Sequence, residues 1–159
     1  METILILHNI RSVYNVGSIF RTADAAGVSK IYLSGYTPTP LDRFKRERPD
    51  LAKVALGAEK TIPWEYYKNG YAALTKARKD GFTIVAVEQD KRATPLFSYK
   101  RKKNAKLSLL LGNEVRGVSK AMLAKCDDIV EIPMHGKKES LNVSVAAGVA
   151  LFTLRHFFY

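Results

Sequence analysis

The sequence is poor in the residues from which disulfides and metal sites are built. It contains one cysteine, Cys126, and three histidines among its 159 residues. A single cysteine rules out an intramolecular disulfide and fits a reducing cytoplasm, which is the compartment that we predict. No pair of cysteines or histidines has the spacing of metal ligands and the carboxylates are scattered, so we predict no metal site.

The chain also lacks long apolar runs and several well-known ligand-binding loops. No segment approaches the roughly 20 apolar residues that cross a bilayer, and the opening Met-Glu-Thr-Ile-Leu-Ile-Leu has no feature of a signal peptide. There is no Gly-x-x-x-x-Gly-Lys-Ser/Thr loop, no Gly-x-Gly-x-x-Gly after the first apolar run and no Gly-x-Ser-x-Gly elbow. These absences argue against a membrane partner, a P-loop nucleotide hydrolase and a dinucleotide-binding Rossmann domain.

Acidic residues are scarce relative to basic ones, 15 against 26, so the formal charge is +11. Residues 91–106 contain seven cations and no acidic residue: Lys91, Arg92, Lys100, Arg101, Lys102, Lys103 and Lys106. A charge run is often only a solvated surface, but on a chain this basic it favours a polyanionic partner. Because Phe97 and Tyr99 are interleaved with the cations, we expect nucleic acid rather than a membrane surface.

Short apolar segments alternate with stretches of helical periodicity. The predicted strands are Thr3–His8, Lys30–Ser34, Thr61–Trp64, Phe82–Val87, Leu107–Leu111 and Ile129–Ile132. The predicted helices are Val16–Ala26, Leu51–Leu56, Tyr71–Asp80, Ser119–Lys125 and Asn142–Phe158, with a long loop at 35–50. Strands separated by helical lengths indicate βαβ units. We therefore predict one α/β domain over residues 1–159, with a mainly parallel sheet and helices on both faces.

Three segments place glycines and polar residues after apolar runs, where open α/β sheets bind ligands. They are Asn15-Val-Gly-Ser-Ile-Phe-Arg21, Leu111-Gly-Asn-Glu-Val-Arg-Gly117 and Ile132-Pro-Met-His-Gly-Lys-Lys-Glu-Ser-Leu-Asn142. A parallel sheet brings such segments to one edge, so we expect one composite site. In the first segment, Arg21 lies one turn beyond Gly17, where it can reach back over the helix N-terminus and bind a phosphate. The alternative is a surface arginine on an amphipathic helix.

The second and third segments each allow a functional and a structural interpretation. Gly112 permits close approach of a ligand, and Glu114 can hold an amine, a hydroxyl or a ribose. A plain turn explains the glycine and asparagine of the second segment but not its Glu and Arg together. Ser140 and Asn142 of the third segment are either site residues or helix caps.

Taken together, the three motifs resemble those of the SpoU/TrmH-type RNA 2′-O-ribose methyltransferases of the SPOUT superfamily, in order and over nearly the whole chain. The resemblance implies an α/β SPOUT fold with a C-terminal trefoil knot, and a homodimer. It also implies methyl transfer from S-adenosyl-L-methionine to a ribose 2′-hydroxyl of a structured RNA, tRNA or rRNA, with S-adenosyl-L-homocysteine as product. A basic, non-catalytic RNA-binding module of the same fold is the alternative.

The resemblance also assigns roles to individual residues. Arg21 would be the catalytic arginine, supported by Asn15, with Glu114 and Asn142 shaping the site. Because arginine is a poor base, an electrostatic role for Arg21 stands beside the role of base. The methyl donor would contact Val87, Glu88, Gly112, Ile132, Met134, Ser140, Leu141 and Asn142. The RNA would contact Arg11, Arg21, Arg43, Lys45, Arg46, Arg116, Lys100, Arg101, Lys102 and Lys103.

Overall fold

Strands and helices alternate along the chain in the computed structural model, which describes residues 2–100 and 105–156. Over these residues the strands are Thr3–His8 (β1), Lys30–Ser34 (β2), Trp64–Tyr67 (β3), Phe82–Val87 (β4), Thr94–Pro95 (β5), Lys106–Leu111 (β6) and Asp128–Glu131 (β7). The helices are Val13–Ala25 (α1), Pro49–Ala55 (α2), Ala58–Thr61 (α3), Gly70–Lys79 (α4), Lys120–Leu123 (α5) and Val143–His156 (α6). A 3₁₀ turn spans Leu96–Ser98.

The strands of the described residues form one parallel sheet in the order β3-β2-β1-β6-β4-β7-β5. Side chains alternate between its two faces, so each strand contributes to two cores. On one face Leu5 and Leu7 pack with α1, α2, α3 and α6. On the other face Ile4 and Ile6 pack with α4 and α5. The predicted α/β architecture with helices on both faces is confirmed, and it explains why the strands are continuous apolar runs.

Most predicted elements occur close to their predicted bounds. The strands Thr3–His8, Lys30–Ser34 and Phe82–Val87 have the same bounds in the structure. Helix α1 starts three residues before the predicted Val16, because the Ser12 hydroxyl accepts the N–H of Asn15 and caps the helix there. Ser119 caps α5 in the same way.

Two predicted segments differ from the structure. The strand predicted at Thr61–Trp64 is wrong, because residues 56 and 57 adopt positive φ angles of 54° and 96°, which end α2 and start α3. The strand β3 begins only at Trp64, after Pro63. The basic segment 91–106, for which no element was predicted before Leu107, contains β5 and the 3₁₀ turn. A two-residue strand is too short to produce a visible periodicity.

The C-terminal helix begins at Val143, one residue after its predicted start, and the predicted residues 157–158 lie outside the described part of the chain. Among the described residues, no helix is long and apolar enough to cross a membrane.

Candidate functional site

A cavity of about 330 Å³ opens at the carboxyl ends of β4, β6 and β7. These strands are neighbours in the sheet, which is why segments far apart in sequence meet there. The volume lies within the range of small-molecule pockets, roughly 300–1,000 Å³. Seven of the residues predicted to contact a methyl donor line the cavity: Val87, Glu88, Gly112, Ile132, Met134, Ser140 and Leu141.

Two glycines give the cavity wall its shape. A Cβ at Gly112 would lie 2.6 Å from the carbonyl carbon of Gly117 and 2.7 Å from its oxygen, so no larger residue fits without moving backbone. The loop 112–117 folds back on itself, and the N–H of Gly117 donates to the carbonyl of Asn113 at 2.8 Å. Gly117 has φ +64°, and a Cβ there would clash with the carboxylate of Glu88. The wall is therefore backbone packed against backbone.

Glu88 and Gln89 connect the end of β4 to both neighbouring segments. The Glu88 carboxylate accepts the N–H of Val118 at 2.9 Å, which ties β4 to the loop after β6. The amide of Gln89 donates to the carbonyl of Glu139 at 2.5 Å, which ties β4 to the segment after β7. Three sides of the cavity are thus joined by hydrogen bonds.

Glu114 holds the first turn of α1. Its carboxylate accepts the backbone N–H of Arg11 at 2.9 Å and of Ser12 at 3.0 Å, together with the side-chain amide of Asn15 at 3.0 Å. Burial alone would raise the pKa of Glu114, but these hydrogen bonds outweigh burial and hold the pKa below its ordinary value. An anion is also favoured at a helix N-terminus. The protein's own carboxylate therefore binds the N–H groups just before α1, and the phosphate contact of Arg21 stays a prediction.

Asn15 and Asn142 connect the first and third segments. The side-chain amide of Asn142 donates to the Oδ1 of Asn15 at 3.1 Å, so the starts of α1 and α6 lie side by side. The Oδ1 of Asn142 accepts the N–H of Ser144 at 2.8 Å, and its carbonyl accepts the N–H of Ala146. Asn142 therefore caps α6, one of the two roles considered for it. It is not among the residues that line the cavity, and its contact with a donor stays a prediction.

Arg21 lies on the exposed side of α1, less than two turns beyond Asn15, and does not line the cavity. It forms no ion pair with any residue of the described ranges. Gly17, four residues before it, is buried against α2, where a Cβ would lie 2.8 Å from the carbonyl oxygen of Leu51. Sequence reasoning missed this packing role, because nothing in the motif distinguishes it from ligand binding.

The cations predicted to contact RNA are spread over several surfaces. Arg116 lines the cavity, and the residues exposed elsewhere are Arg11, Arg43, Lys45, Arg46 and Lys100. Arg101, Lys102 and Lys103 lie outside the described residues. In the segment 91–106, Arg92 pairs with Asp90 at 2.8 Å and Lys106 pairs with Glu2 at 2.9 Å. Part of the positive charge of this segment is therefore neutralised by carboxylates of the protein itself.

A second opening, a cleft of about 1140 Å³, is lined by residues 35–39 and 41–50, Trp64 and Tyr66. The hydroxyl of Tyr36 in this cleft accepts a hydrogen bond from the amide of Asn113 at 2.9 Å. Asn113 also lines the first cavity. The hydrogen bond between Asn113 and Tyr36 therefore links the two openings. The sequence predicted residues 35–50 to be a polar loop with RNA contacts at Arg43, Lys45 and Arg46, but it did not predict a cleft there.

Cys126 is half-buried, and its thiol donates to the carbonyl of Met122 at 3.4 Å. Burial, followed by the nearby Asp127 carboxylate, raises the pKa of this thiol to about 11, so it stays protonated at neutral pH. The structure shows no group of three or more metal-ligating side chains within residues 2–100 and 105–156.

The fold and the site define an α/β protein with a cavity of small-molecule size at the carboxyl edge of a parallel sheet. The second and third motifs line this cavity, and hydrogen bonds link them to the first motif. The family model described as the SpoU rRNA Methylase family matches residues 2–152. The chain belongs to that family, and the family predicted from the motifs is confirmed.

Curated relatives and solved structures agree with this assignment. The chain is 34% identical over 149 residues to the 23S rRNA (guanosine-2'-O-)-methyltransferase RlmB of Vibrio vulnificus, covering 94% of this chain and 57% of that protein. The protein of the same name from Escherichia coli strain K12 is 32% identical, with coverages of 94% and 58%. The chain thus spans just over half the length of these relatives.

Among solved structures, an AdoMet-bound rRNA methyltransferase from Sinorhizobium meliloti has a TM-score of 0.88 at 29% identity, over 99% of this chain and 57% of that one. A structure described as giving insights into 2-OH methylation of C/U34 on tRNA has a TM-score of 0.79 at 26% identity. That comparison covers 98% of this chain and 96% of the other, so the two are nearly equal in length. These likenesses confirm the predicted fold class, while the trefoil knot stays a prediction.

Proposed function

We propose that the protein is an S-adenosylmethionine-dependent RNA 2′-O-ribose methyltransferase. The observation that carries the proposal is that three motifs of the family meet beside one cavity. Glu114 of the second motif binds Asn15 of the first, and Asn15 binds Asn142 of the third. A basic RNA-binding module would need the charge of +11 but not this constellation. The relatives named for ribose 2′-O-methylation of 23S rRNA support the same activity.

The cavity fits S-adenosylmethionine in chemistry. Val87, Leu111 and Ile132 supply apolar walls suited to a nucleoside base, and the backbone of residues 112–117 supplies polar groups suited to an amino-acid moiety. The close backbone contact at Gly112 preserves space that a side chain would fill. When bound, the donor supplies an electrophilic methyl group on a sulfonium and leaves as S-adenosylhomocysteine.

The protein's own task concerns the ribose hydroxyl, which ionises poorly at neutral pH. The site must orient its oxygen and stabilise the charge that develops on it. Arg21 is exposed and forms no ion pair within the described residues, so its guanidinium can pair with a phosphate of the RNA. We assign Arg21 to phosphate binding and charge stabilisation rather than to proton removal, because arginine stays protonated. Glu114 and Asn15 fix the helix that carries it.

The partners that we propose are RNA and a second copy of the chain, with residues 1–159 acting as one domain in the cytoplasm. The helices α1 and α6 lie side by side and leave large side chains exposed: Tyr14, Val145 and Phe152 are 60%, 50% and 49% exposed. Burial of such side chains between two copies would stabilise a homodimer. Sedimentation of the wild type and of Phe152→Lys tests this, and a dimer that persists unchanged in the variant would contradict the assignment of this face.

The relatives leave the RNA class open, since some are named for 23S rRNA and one structure of nearly equal length is described for tRNA. The test is methylation of total RNA with labelled donor, followed by mapping of the modified nucleotide. Calorimetry with S-adenosylmethionine and S-adenosylhomocysteine accompanies it. If neither produces heat or a thermal shift, the enzyme proposal fails and the non-catalytic module stands.

Arg21→Ala should abolish methyl transfer with donor affinity nearly unchanged, because Arg21 lies outside the cavity wall. Arg21→Lys should also be poor, since an ammonium does not reproduce the guanidinium fork. Lys79→Ala, an exposed charge on α4 across the sheet, is the control. Near-normal transfer by Arg21→Ala would show that the reacting centre lies elsewhere.

The basic segment gives a separate test of RNA contact. Each phosphate contact releases counterions, so the logarithm of the affinity falls with the logarithm of salt concentration by about 0.7 to 0.9 per contact. Replacing Lys100, Arg101, Lys102 and Lys103 should flatten that slope by roughly two to four units. An unchanged slope would mean that these four cations do not touch the RNA.

A further inference from the structure

The loop between β2 and α2 is held in one conformation by its own hydrogen bonds. The Asp42 carboxylate accepts the N–H of Phe44 at 2.8 Å, the N–H of Arg46 at 3.0 Å and the Nε of Arg46 at 2.9 Å. Leu41 and Glu47 pair as an antiparallel bridge across the loop. Lys45 has φ 59°, a left-handed conformation that residues with a side chain adopt rarely. The loop tip, residues 43–46, is therefore a turn whose conformation is fixed by hydrogen bonds.

This tip displays an aromatic ring together with cations. Phe44 is 62% exposed, and the guanidinium carbons of Arg43 and Arg46 lie 4.8 Å and 4.9 Å from its ring centre. A phenylalanine this exposed gains little free energy from folding, so stability does not explain its position. Arg43 and Lys45 form no ion pair within residues 2–100 and 105–156. Flat rings and guanidinium planes with free positive charge are what proteins use to hold unpaired nucleotides.

The tip lies in the same cleft as Tyr36, which connects it to the cavity. The N–H of Tyr36 donates to the Oδ1 of Asn9 at 3.2 Å, and its hydroxyl accepts from Asn113, so a ring that is 57% exposed is fixed at both ends. Trp64 lines the cleft as well. The cleft therefore offers several aromatic surfaces beside the wall of the cavity.

We propose that this cleft holds an unpaired nucleotide next to the methylated one, with its base stacked on Phe44 and its phosphates against Arg43 and Lys45. The inference rests on the proposed function and adds that the RNA is single-stranded beside the target ribose. Duplex RNA does not expose the faces of its bases, so the substrate segment is a loop, a bulge or an end. The charge of +11 favours RNA over an apolar protein segment as the occupant.

The test uses the full chain and an oligouridylate of about 12 nucleotides, with an abasic oligomer of the same length as the second probe. Base stacking on an aromatic ring contributes about 1–3 kcal/mol, so Phe44→Ala should weaken binding by about 5- to 150-fold. Phe44→Trp should retain affinity. The salt slope should stay the same in both variants, because no phosphate contact is removed. Trp64 is the sole tryptophan, so its fluorescence in the wild type should be quenched only by the base-containing oligomer.

Tyr71→Ala is the matched control, since Tyr71 is 45% exposed on α4 across the sheet. Equal affinity of the wild type and Phe44→Ala for oligouridylate would overturn the inference, as would equal affinity of the wild type for the abasic oligomer. Loss of self-association in Phe44→Ala with RNA affinity intact would also overturn it, and would identify an interface between copies. If the wild type fails to bind S-adenosylmethionine while the stacking effect persists, only the proposed function is contradicted.

Discussion

The cavity and the cleft are linked by the hydrogen bond between Asn113 and Tyr36, yet they use polar and aromatic groups differently. Around the cavity, the carboxylates of Glu88 and Glu114 bind backbone N–H groups of neighbouring segments, and the side chain of Asn113 accepts the N–H of Arg116 in its own loop. In the cleft, Phe44 and its neighbouring cations point to solvent from a rigid turn. A small-molecule site needs walls of fixed shape, whereas a surface for an extended polymer needs accessible charge and flat rings.

The largest expected effect is the loss of stability and of donor affinity on substitution of Gly112, because the cavity wall has no free space there. Gly112→Ala places a Cβ against the backbone of Gly117, so the loop 112–117 must move. Overpacking of this kind costs about 3 kcal/mol at its upper range, and a chain of this size loses about 2–4 °C in melting temperature per kcal/mol. Donor affinity should be lost with it.

The control for this change is Gly136→Ala, because a Cβ at Gly136 would have no heavy atom within 4 Å. Thermal denaturation and calorimetry should show the control unchanged. Normal donor binding by Gly112→Ala would contradict the view that the cavity has a rigid backbone wall.

Glu114→Gln should cost about 2 kcal/mol at neutral pH, because it weakens charge-assisted hydrogen bonds to the start of α1. The folded-state pKa of Glu114 lies below its ordinary value near 4.5, so the unfolded chain binds the proton more readily. The contribution of Glu114 is therefore present above that ordinary value and is lost as pH falls through the folded-state pKa. Melting curves against pH should show the wild type and the variant converging in strong acid, and a constant difference would contradict the assignment.

Asn142 offers a smaller effect that separates two functions of one side chain. Asn142→Ala removes the cap of α6 and the bond to Asn15, and should cost about 1 kcal/mol or slightly more. Asn142→Ser can still cap the helix but is too short to reach Asn15, so it should cost less. Equal melting temperatures for the two variants would mean that the cap contributes nothing, whereas a wild-type melting temperature for Asn142→Ser would mean that the bond to Asn15 contributes nothing.

The smallest expected effect is a gain in stability, whereas the changes above lower stability. Ser108 on β6 is fully buried, and its hydroxyl has no hydrogen-bond partner among the described residues. Ser108→Ala removes this desolvated group and should stabilise the fold by up to about 1 kcal/mol. Ser34→Ala is the matched control, since Ser34 is equally buried but its hydroxyl is paired with the Nδ1 of His8 at 3.0 Å. Ser34→Ala should lose stability. If Ser108→Ala also loses stability, the effect follows from burial of the serine and not from whether its hydroxyl has a hydrogen-bond partner.

Most of the cavity wall was predictable, because the ends of parallel strands meet at one edge whatever their separation in sequence. Gly112 and Ile132 were placed together on that ground, and Val87 was added by the resemblance to the family. The role of Glu114 at the start of α1 was not predictable, because its partners are backbone N–H groups, and these leave no pattern in the sequence. The packing of Gly17 on Leu51 depends on how two helices cross, which periodicity does not report.

The cleft was harder to predict than the cavity. Its turn depends on Asp42 accepting three hydrogen bonds and on a left-handed Lys45, and neither follows from composition. Short elements such as β5 and α3 were missed for a related reason, since two to four residues do not span a helical or strand period.

The strand order has a consequence for how the chain is made. The strand β1 pairs with β2, which follows it after one helix, and with β6, which is synthesised roughly 70 residues later. Translation adds about 5–20 residues per second, so one backbone edge of β1 stays without its partner strand for several seconds. Unpaired edges of this kind are templates for aggregation. On the ribosome, this protein is therefore most vulnerable after β2 emerges and before β6 does.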